Sequence, residues 1–293
     1  MKRILFILIS LYIGILAAQA ANIPHLLPWP QKVAWNGKKF QYRGTFVSLT
    51  ENFCSIGMEQ PAGNKITGNP SSHPALSVKW VEDFPDIPLN RNEAYKLRVT
   101  SKGVEIEAIT ETGVYRAIQT LRQLTEKKGN GIAITGCEIT DWPAFRIRGF
   151  MQDVGRTYIS TDELKREIAI LARYKINVFH WHLTENQAWR LQSKVFPMLN
   201  DSVNTTRQPG KYYTLEEARE LAAFCKQHHV LLIPEIDMPG HSAAFVRTFR
   251  HDMQSPEGMK ILKLLIDEVC ETFDVPYLHI CLLYTSDAAD EGL

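Results

Sequence analysis

This 293-residue sequence predicts an α/β protein: a small α+β domain over residues 22–142, then a truncated (β/α)8 TIM barrel over residues 143–280. Three observations carry that expectation. After Asp141-Trp142-Pro143 the grammar changes from short strands and loops to strand alternating with helix, which implies a parallel sheet with right-handed crossovers. The strands of this second part end in polar clusters: Asp153 and Arg156, then His182 and Glu185, then Asp237 and His241. Barrels deliver side chains to the carboxyl edge of their sheet in this way. No Gly-rich phosphate loop follows the first strand, which weighs against a nucleotide-binding doubly wound sheet. A full barrel takes about 250 residues, and about half of that length follows Asp141, so about four strands are expected.

The elements follow in chain order. Lys2 and Arg3 precede an apolar run from Ile4 to Ala18, and Ala18-Gln19-Ala20 supplies a small-x-small cleavage pattern. Residues 1–20 therefore read as a secretory signal peptide cleaved after Ala20, and the mature protein as periplasmic or secreted. The run is too short and wrongly flanked for a membrane span. Tyr95, Leu97 and Val99 alternate with polar residues, as do Val104, Ile106 and Ala108, and Lys102-Gly103 sits between the two runs. That is a hairpin with one buried face. Val114, Ala117, Ile118, Leu121 and Leu124 recur at helical spacing, while Cys54 to Pro88, rich in Pro, Gly, Asn and Ser, reads as loops and weak edge strands.

Beyond Pro143, Ile147 to Asp153 is the first predicted strand. Ser160-Thr-Asp-Glu163 is a capping box opening a helix with Leu164, Ile168, Leu171 and Ala172 on one face. Ile176 to Asn186 begins as an apolar β-branched strand and turns abruptly into His180, Trp181, His182, Glu185 and Asn186. Thr214 opens a second capped helix with Leu215, Ala218, Ala222 and Cys225 along its stripe. Val230 to Ile236 is a third strand, Ser255-Pro256 starts a helix running to about Phe273, and Tyr277 to Ile280 is a fourth strand.

Composition narrows the class of ligand. The chain is 45% hydrophobic and 22% charged, with net charge +1 and a pI near 7.7. No basic field points to nucleic acid or a membrane surface, and neutral polar or sugar substrates stay open. Five cysteines show no regular framework, and Cys225 and Cys270, inside helical patterns, read as free buried thiols.

Two constellations carry chemistry. Arg148 and Asp153 share a strand; the arginine either forks onto two sugar hydroxyls or a carboxylate, or pairs with the aspartate to close the barrel floor. Asp237 and His241 leave a buried strand around the Pro239-Gly240 turn, where a carboxylate can set the tautomer and basicity of an imidazole. His180, His182 and His241 are conceivable zinc ligands, but along a strand His180 and His182 share a face with Trp181 opposite. No metal and no cofactor are expected. A Gly-x-Ser-x-Gly nucleophile turn is absent.

Four stretches, taken together, resemble glycoside hydrolase family twenty, the β-N-acetylhexosaminidases. They are Phe145 to Arg156, Ile176 to Asn186, Pro234-Glu-Ile-Asp-Met-Pro-Gly-His241, and Asp274 to Ile280. Glu111 to Leu124 is similar to the helix of the α+β domain that precedes the family barrel, so the resemblance covers about Asn22 to Ile280. It implies removal of terminal β-linked N-acetylglucosamine or N-acetylgalactosamine from glycans, with retention. The mechanism it implies is substrate-assisted, with the acetamido oxygen as nucleophile. It further implies that Arg148 holds sugar hydroxyls and that Glu185, Asp237 and His241 form the network supporting the general acid.

The resemblance stops after Ile280. The family's next strand reads His-x-Gly-Gly-Asp-Glu, its Asp holding the acetamido group and its Glu serving as acid. Here His279-Ile280 runs into Cys281-Leu-Leu-Tyr284, and Asp290-Glu291 comes seven residues late. Residues 281–291 also resemble an in-frame translation of a transposase adapter used in preparing sequencing libraries. The expectation is an amino-terminal fragment with a non-native tail, inactive by itself. Two rivals are a non-catalytic carbohydrate-binding protein on the same fold and a glycosidase using two protein carboxylates.

Overall fold

The computed structural model describes residues 24–54 and 75–282, the side chains of 51–54 excepted. The predicted signal peptide, most of the loop-rich stretch before Pro88, and the tail with Asp290-Glu291 lie outside the described residues. The chain divides into two compact units between Ala144 and Phe145. Among the described residues no helix is long and apolar enough to cross a membrane.

The first unit is built on one six-stranded sheet. Its strands are β1 (Lys32–Tyr42), β2 (Leu76–Trp80), β3 (Tyr95–Thr100), β4 (Gly103–Ala108), β5 (Thr125–Lys128) and β6 (Gly131–Asp141), with helices α1 (Phe46–Cys54) and α2 (Glu111–Gln123). The order is β1-β6-β3-β4-β2, with β5 on β6. The predicted hairpin is β3–β4, paired from Tyr95↔Ala108 to Thr100↔Gly103. Leu97, Val99, Val104 and Ile106 pack there against Ala117, Ile118 and Leu121 of α2.

Helix α2 begins a turn earlier than its apolar stripe, because the Thr110 side chain accepts from the Gly113 N–H. Gly113 allows that close approach: a Cβ there would lie 2.5 Å from the Ala94 carbonyl oxygen. The long pair β1–β6 is not predicted from the sequence. Its register slips between Trp35 and Lys39, around Gly37 at φ 69°, which interrupts the alternation a strand is recognised by.

The second unit carries a four-stranded, all-parallel sheet of β7 (Gly149–Asp153), β8 (Val178–His182), β9 (Leu231–Met238) and β10 (His279–Cys281), in that spatial order. Between the strands run α3 (Thr161–Arg173), α4 (Leu215–Gln227), the short α5 (Ala243–Phe249) and α6 (Pro256–Thr272). Both capping boxes are present, Ser160 with Glu163 and Thr214 with Glu217. On α3, Leu164, Ile168 and Ala172 are buried, whereas Leu171 is only partly so. On α4 the fully buried stripe is Leu215, Ala218, Leu221 and Cys225, so Leu221 takes the place predicted for Ala222. Cys225 is buried, and that burial pushes its thiol up to about 12, but Cys270 is exposed and its expected burial is corrected. Helix α5 is too short to leave a periodic pattern and was not foreseen.

Candidate active site

Parallel pairing sets the carboxyl ends of β7, β8 and β9 side by side: Asp153 stands opposite His182, and His182 opposite Glu235. Every polar cluster singled out in the sequence is therefore brought to one sheet edge, with one exception. Arg148 precedes β7, at the amino end of the strand. Its Nε donates to the Lys175 carbonyl at 2.7 Å and its Nη1 to the Phe145 carbonyl at 2.9 Å. The backbone N–H of Arg148 donates to Asn177 Oδ1, just ahead of β8. A side chain engaged with backbone at that end cannot reach a ligand at the other, and the Asp153 pairing considered for it is not made either. The arginine at the carboxyl edge is Arg156.

Arg156 bonds Asp153 Oδ2 and Glu185 Oε1, and its own backbone N–H donates to Asp153 Oδ1 at 3.0 Å. It remains 47% exposed at the side chain, so donors are left over for a ligand. Gly155 makes the approach possible, because a Cβ there would sit 2.7 Å from Glu185 Cβ.

Glu185 is buried and holds His241 Nδ1 at 2.8 Å, while its Oε2 accepts from the Asn186 N–H at 2.7 Å. Asn186 in turn ties this loop to α5: its Oδ1 accepts from Ala243 N–H, and its carbonyl accepts from Arg247. Two of the three network residues expected from the sequence thus touch one another. Asp237 is buried beside them, its backbone N–H donating to Thr184 Oγ1 at 2.8 Å and its Oδ1 lying 3.6 Å from His182 Nδ1. Burial pushes the Asp237 carboxyl up to about 6, further than the His182 charge draws it down, and the neighbouring Glu235 charge adds to the rise.

Glu235 is the residue that sequence reasoning missed. It is buried on β9, with Oε2 2.7 Å from His182 Nδ1 and 2.8 Å from His180 Nε2, and Oε1 2.7 Å from His279 Nδ1. Burial alone would raise its pKa. The hydrogen bonds and charges of His180 and His182 outweigh that and hold it well below the usual carboxylate range. His182 is raised in return: burial works against its charge, but the Glu235 hydrogen bond and the Asp237 charge prevail. The signal was present in the sequence, since a carboxylate inside an apolar strand beside two strands with inward histidines needs a partner.

Trp181 points to the helix side, as the strand period requires, and packs edge-on against Tyr213. Arg190, fully buried, braces the loop after β8 by donating to the carbonyls of Val154, Arg207 and Lys211.

Among the described residues three sets of donors cluster tightly, each within 4.8 Å: Glu235–Asp237–Cys281, and two that combine histidine with carboxylate, His180–Glu235–His279 and His182–Glu185–Asp237. In both, each acid already faces an imidazole or a guanidinium, which makes an ion-pair network the simpler description. His180, His182 and His241, the zinc ligands conceivable from sequence, do not form one such set among the described residues. Chemically, the edge offers a half-exposed guanidinium, a buried Glu–His pair, and a carboxyl group that burial pushes up to about 6.

Comparison with known proteins agrees over both units. The model described as "Glycosyl hydrolase family 20, catalytic domain" matches residues 145–256, and that family's domain 2 matches residues 24–142. A beta-hexosaminidase of Porphyromonas gingivalis is 35% identical over 256 residues, spanning 76% of this chain and 31% of the relative. One from Vibrio furnissii is 33% identical, over 64% of this chain and 36% of its own length. The chain thus spans about a third of the length of these relatives. Among solved structures, the beta-N-acetylhexosaminidase of Bacteroides fragilis superposes with a TM-score of 0.71 at 27% identity, over 87% of this chain and 56% of that one. The chitobiase of Flavobacterium johnsoniae gives 0.71 at 29% identity, over 88% and 44%.

Proposed function

The chain belongs to glycosyl hydrolase family 20, and from that premise we propose that residues 24–280 supply the amino-terminal part of an exported exo-β-N-acetylhexosaminidase. The sheet β7–β10 is then the opening of its catalytic barrel. The reaction is hydrolysis of terminal, non-reducing β-linked N-acetylhexosamine with retention. The substrate's acetamido oxygen attacks the anomeric carbon as the leaving oxygen takes a proton, and water then opens the oxazolinium-like intermediate.

The observation that carries this reading is the convergence of Arg156, Glu185, Asp237 and His241 at one carboxyl edge. Arg156, half in solvent, takes the hydroxyl-binding role that the sequence led us to expect of Arg148. Its planar fork suits a vicinal diol. Glu185 Oε1 lies 2.8 Å from His241 Nδ1, an ion-pair contact that keeps the imidazole beside the buried carboxylates. Asp237, whose carboxyl burial pushes up to about 6, is suited to accept or return a proton in this range. The acid that protonates the leaving group and the Asp that orients the acetamido group do not follow His279-Ile280.

A chimera tests the reading: residues 24–280 joined to the remaining carboxyl-terminal part of the P. gingivalis relative, assayed on an aryl N-acetyl-β-glucosaminide. The chimera should turn over, whereas the chain alone should not, loss of a general acid by itself costing about 10²–10⁴-fold. A folded chimera without turnover would overturn the proposal.

A further inference from the structure

We propose that Glu235 is the positioning residue of this site, its one buried carboxylate fixing the imidazoles of His180 and His182 from β8 and of His279 from β10. What is positioned, the Glu185–Asp237 side of a sugar-hydrolysing site, rests on the reading above. The clamp itself rests on geometry alone.

The register explains why one residue can do this. Glu235 is the Cα partner of His182 on one neighbouring strand and of His279 on the other, and paired residues of adjacent strands project to the same face. His180, two residues before His182, shares that face. Both carboxylate oxygens are used: Oε2 is hydrogen-bonded to His182 Nδ1 at 2.7 Å and Oε1 to His279 Nδ1 at 2.7 Å, while His180 Nε2 makes an ion-pair contact with Oε2 at 2.8 Å. The rings of His180 and His279 are thereby held 4.7 Å apart, centroid to centroid.

The consequence for His182 is specific. With Nδ1–H donated to Glu235, the ring can turn only its Nε2 edge toward Glu185, whose Oε1 is 3.9 Å away. That Nε2 is buried and has no hydrogen-bond partner. A carboxylate behind an imidazole sets its tautomer and raises its basicity. The charged groups facing His182 are Asp153 from β7, Glu185 from its own loop, and Glu235 and Asp237 from β9. Of these only Glu235 lies within hydrogen-bond distance, so only Glu235 dictates the ring's orientation.

The test is nitrogen-15 NMR of the histidine rings in this chain and in E235Q, with carbon-13 detection of the Asp237 carboxyl. In the unsubstituted chain His182 should carry its proton on Nδ1, and its Nε2 should titrate above the ordinary imidazole midpoint. In E235Q the His182 midpoint should fall by about one pH unit or more, as loss of an adjacent opposite charge does. Asp237 should fall as well, because a like charge has gone. A residue that merely fills space would leave both midpoints where they were. His182 protonated on Nε2 alone in the unsubstituted chain, or unmoved midpoints in a folded E235Q, would overturn the inference. If E235Q fails to fold, the tautomer of the unsubstituted chain decides. None of these readouts needs turnover, so an inactive chimera would refute the hydrolase reading and leave this result standing.

Discussion

Replacing Asp237 with Asn should change the stability of the second unit in a pH-dependent way, and the structure sets both sign and size. Burial lifts the Asp237 carboxyl from its ordinary 3.8 to about 6. Between those values the folded chain binds a proton that the unfolded chain has released, so each rise in pH through that window costs stability. Two pH units correspond to about 3 kcal/mol. That is an upper bound, because the Asp237 charge is shared with His182 and Glu235. Asn is neutral throughout and escapes the cost. At pH 4 Asp237→Asn should leave the opening free energy nearly unchanged, and at pH 7.5 it should raise it by about 1–3 kcal/mol. Native-state amide hydrogen exchange on β9 reads this locally, apart from the first unit. Equal destabilisation at both pH values would show that the ionised carboxylate is well accommodated, and the account of Asp237 as a group whose charged form burial disfavours would fail.

Other consequences are more local. Gly113→Ala should destabilise the first unit by about 1–3 kcal/mol, since the new methyl meets a backbone carbonyl at 2.5 Å; urea denaturation would measure it. Ser160→Ala removes one half of a capping box and should cost about 1 kcal/mol in the thermal stability of α3. The two arginines should separate cleanly in the active chimera. Arg156→Ala should lower kcat/KM by about 10–100-fold, the worth of one charge-assisted hydrogen bond. Arg148→Ala should lower only the melting temperature, because its donors serve backbone carbonyls.

The parts of the fold legible in the sequence are those where one physical signal acts alone. The β3–β4 hairpin alternates strictly, and the capped helices α3 and α4 announce their first residues. Where two demands compete, the pattern blurs. β1 carries a bulge at Gly37, so its eleven residues never read as one alternation. Leu221 and Ala222 both lie near the apolar stripe of α4, and only the packing decides that the larger goes inward. Cys270 sits among buried helical neighbours yet faces out, since an unbranched helix pattern does not fix the edges of its own stripe.

The site shows the same division for a deeper reason. Sequence order locates a residue along a strand, and along a parallel strand position is everything, because only the carboxyl end meets the ligand. Arg148 and Arg156 flank the same strand, five residues long, and differ in their partners because one lies before it and the other after. Reading the strand as Ile147 to Asp153 placed Arg148 inside it and concealed the polarity; with the strand starting at Gly149, the arginine falls outside at the amino end. Glu235 was hidden differently. It stands in an apolar run, two residues before the more conspicuous Asp237-Met-Pro-Gly-His241 turn, and nothing in its own segment explains it. Its meaning is held by β8 and β10, more than forty residues away on either side, whose histidines reach it only through the register of a three-strand parallel pairing. A buried charge whose partners are all non-local is invisible to a segment-by-segment reading, yet its cost requires that they exist. Searching every predicted buried strand for an unexplained carboxylate, and then the neighbouring strands for imidazoles at paired positions, would have found Glu235 from the sequence.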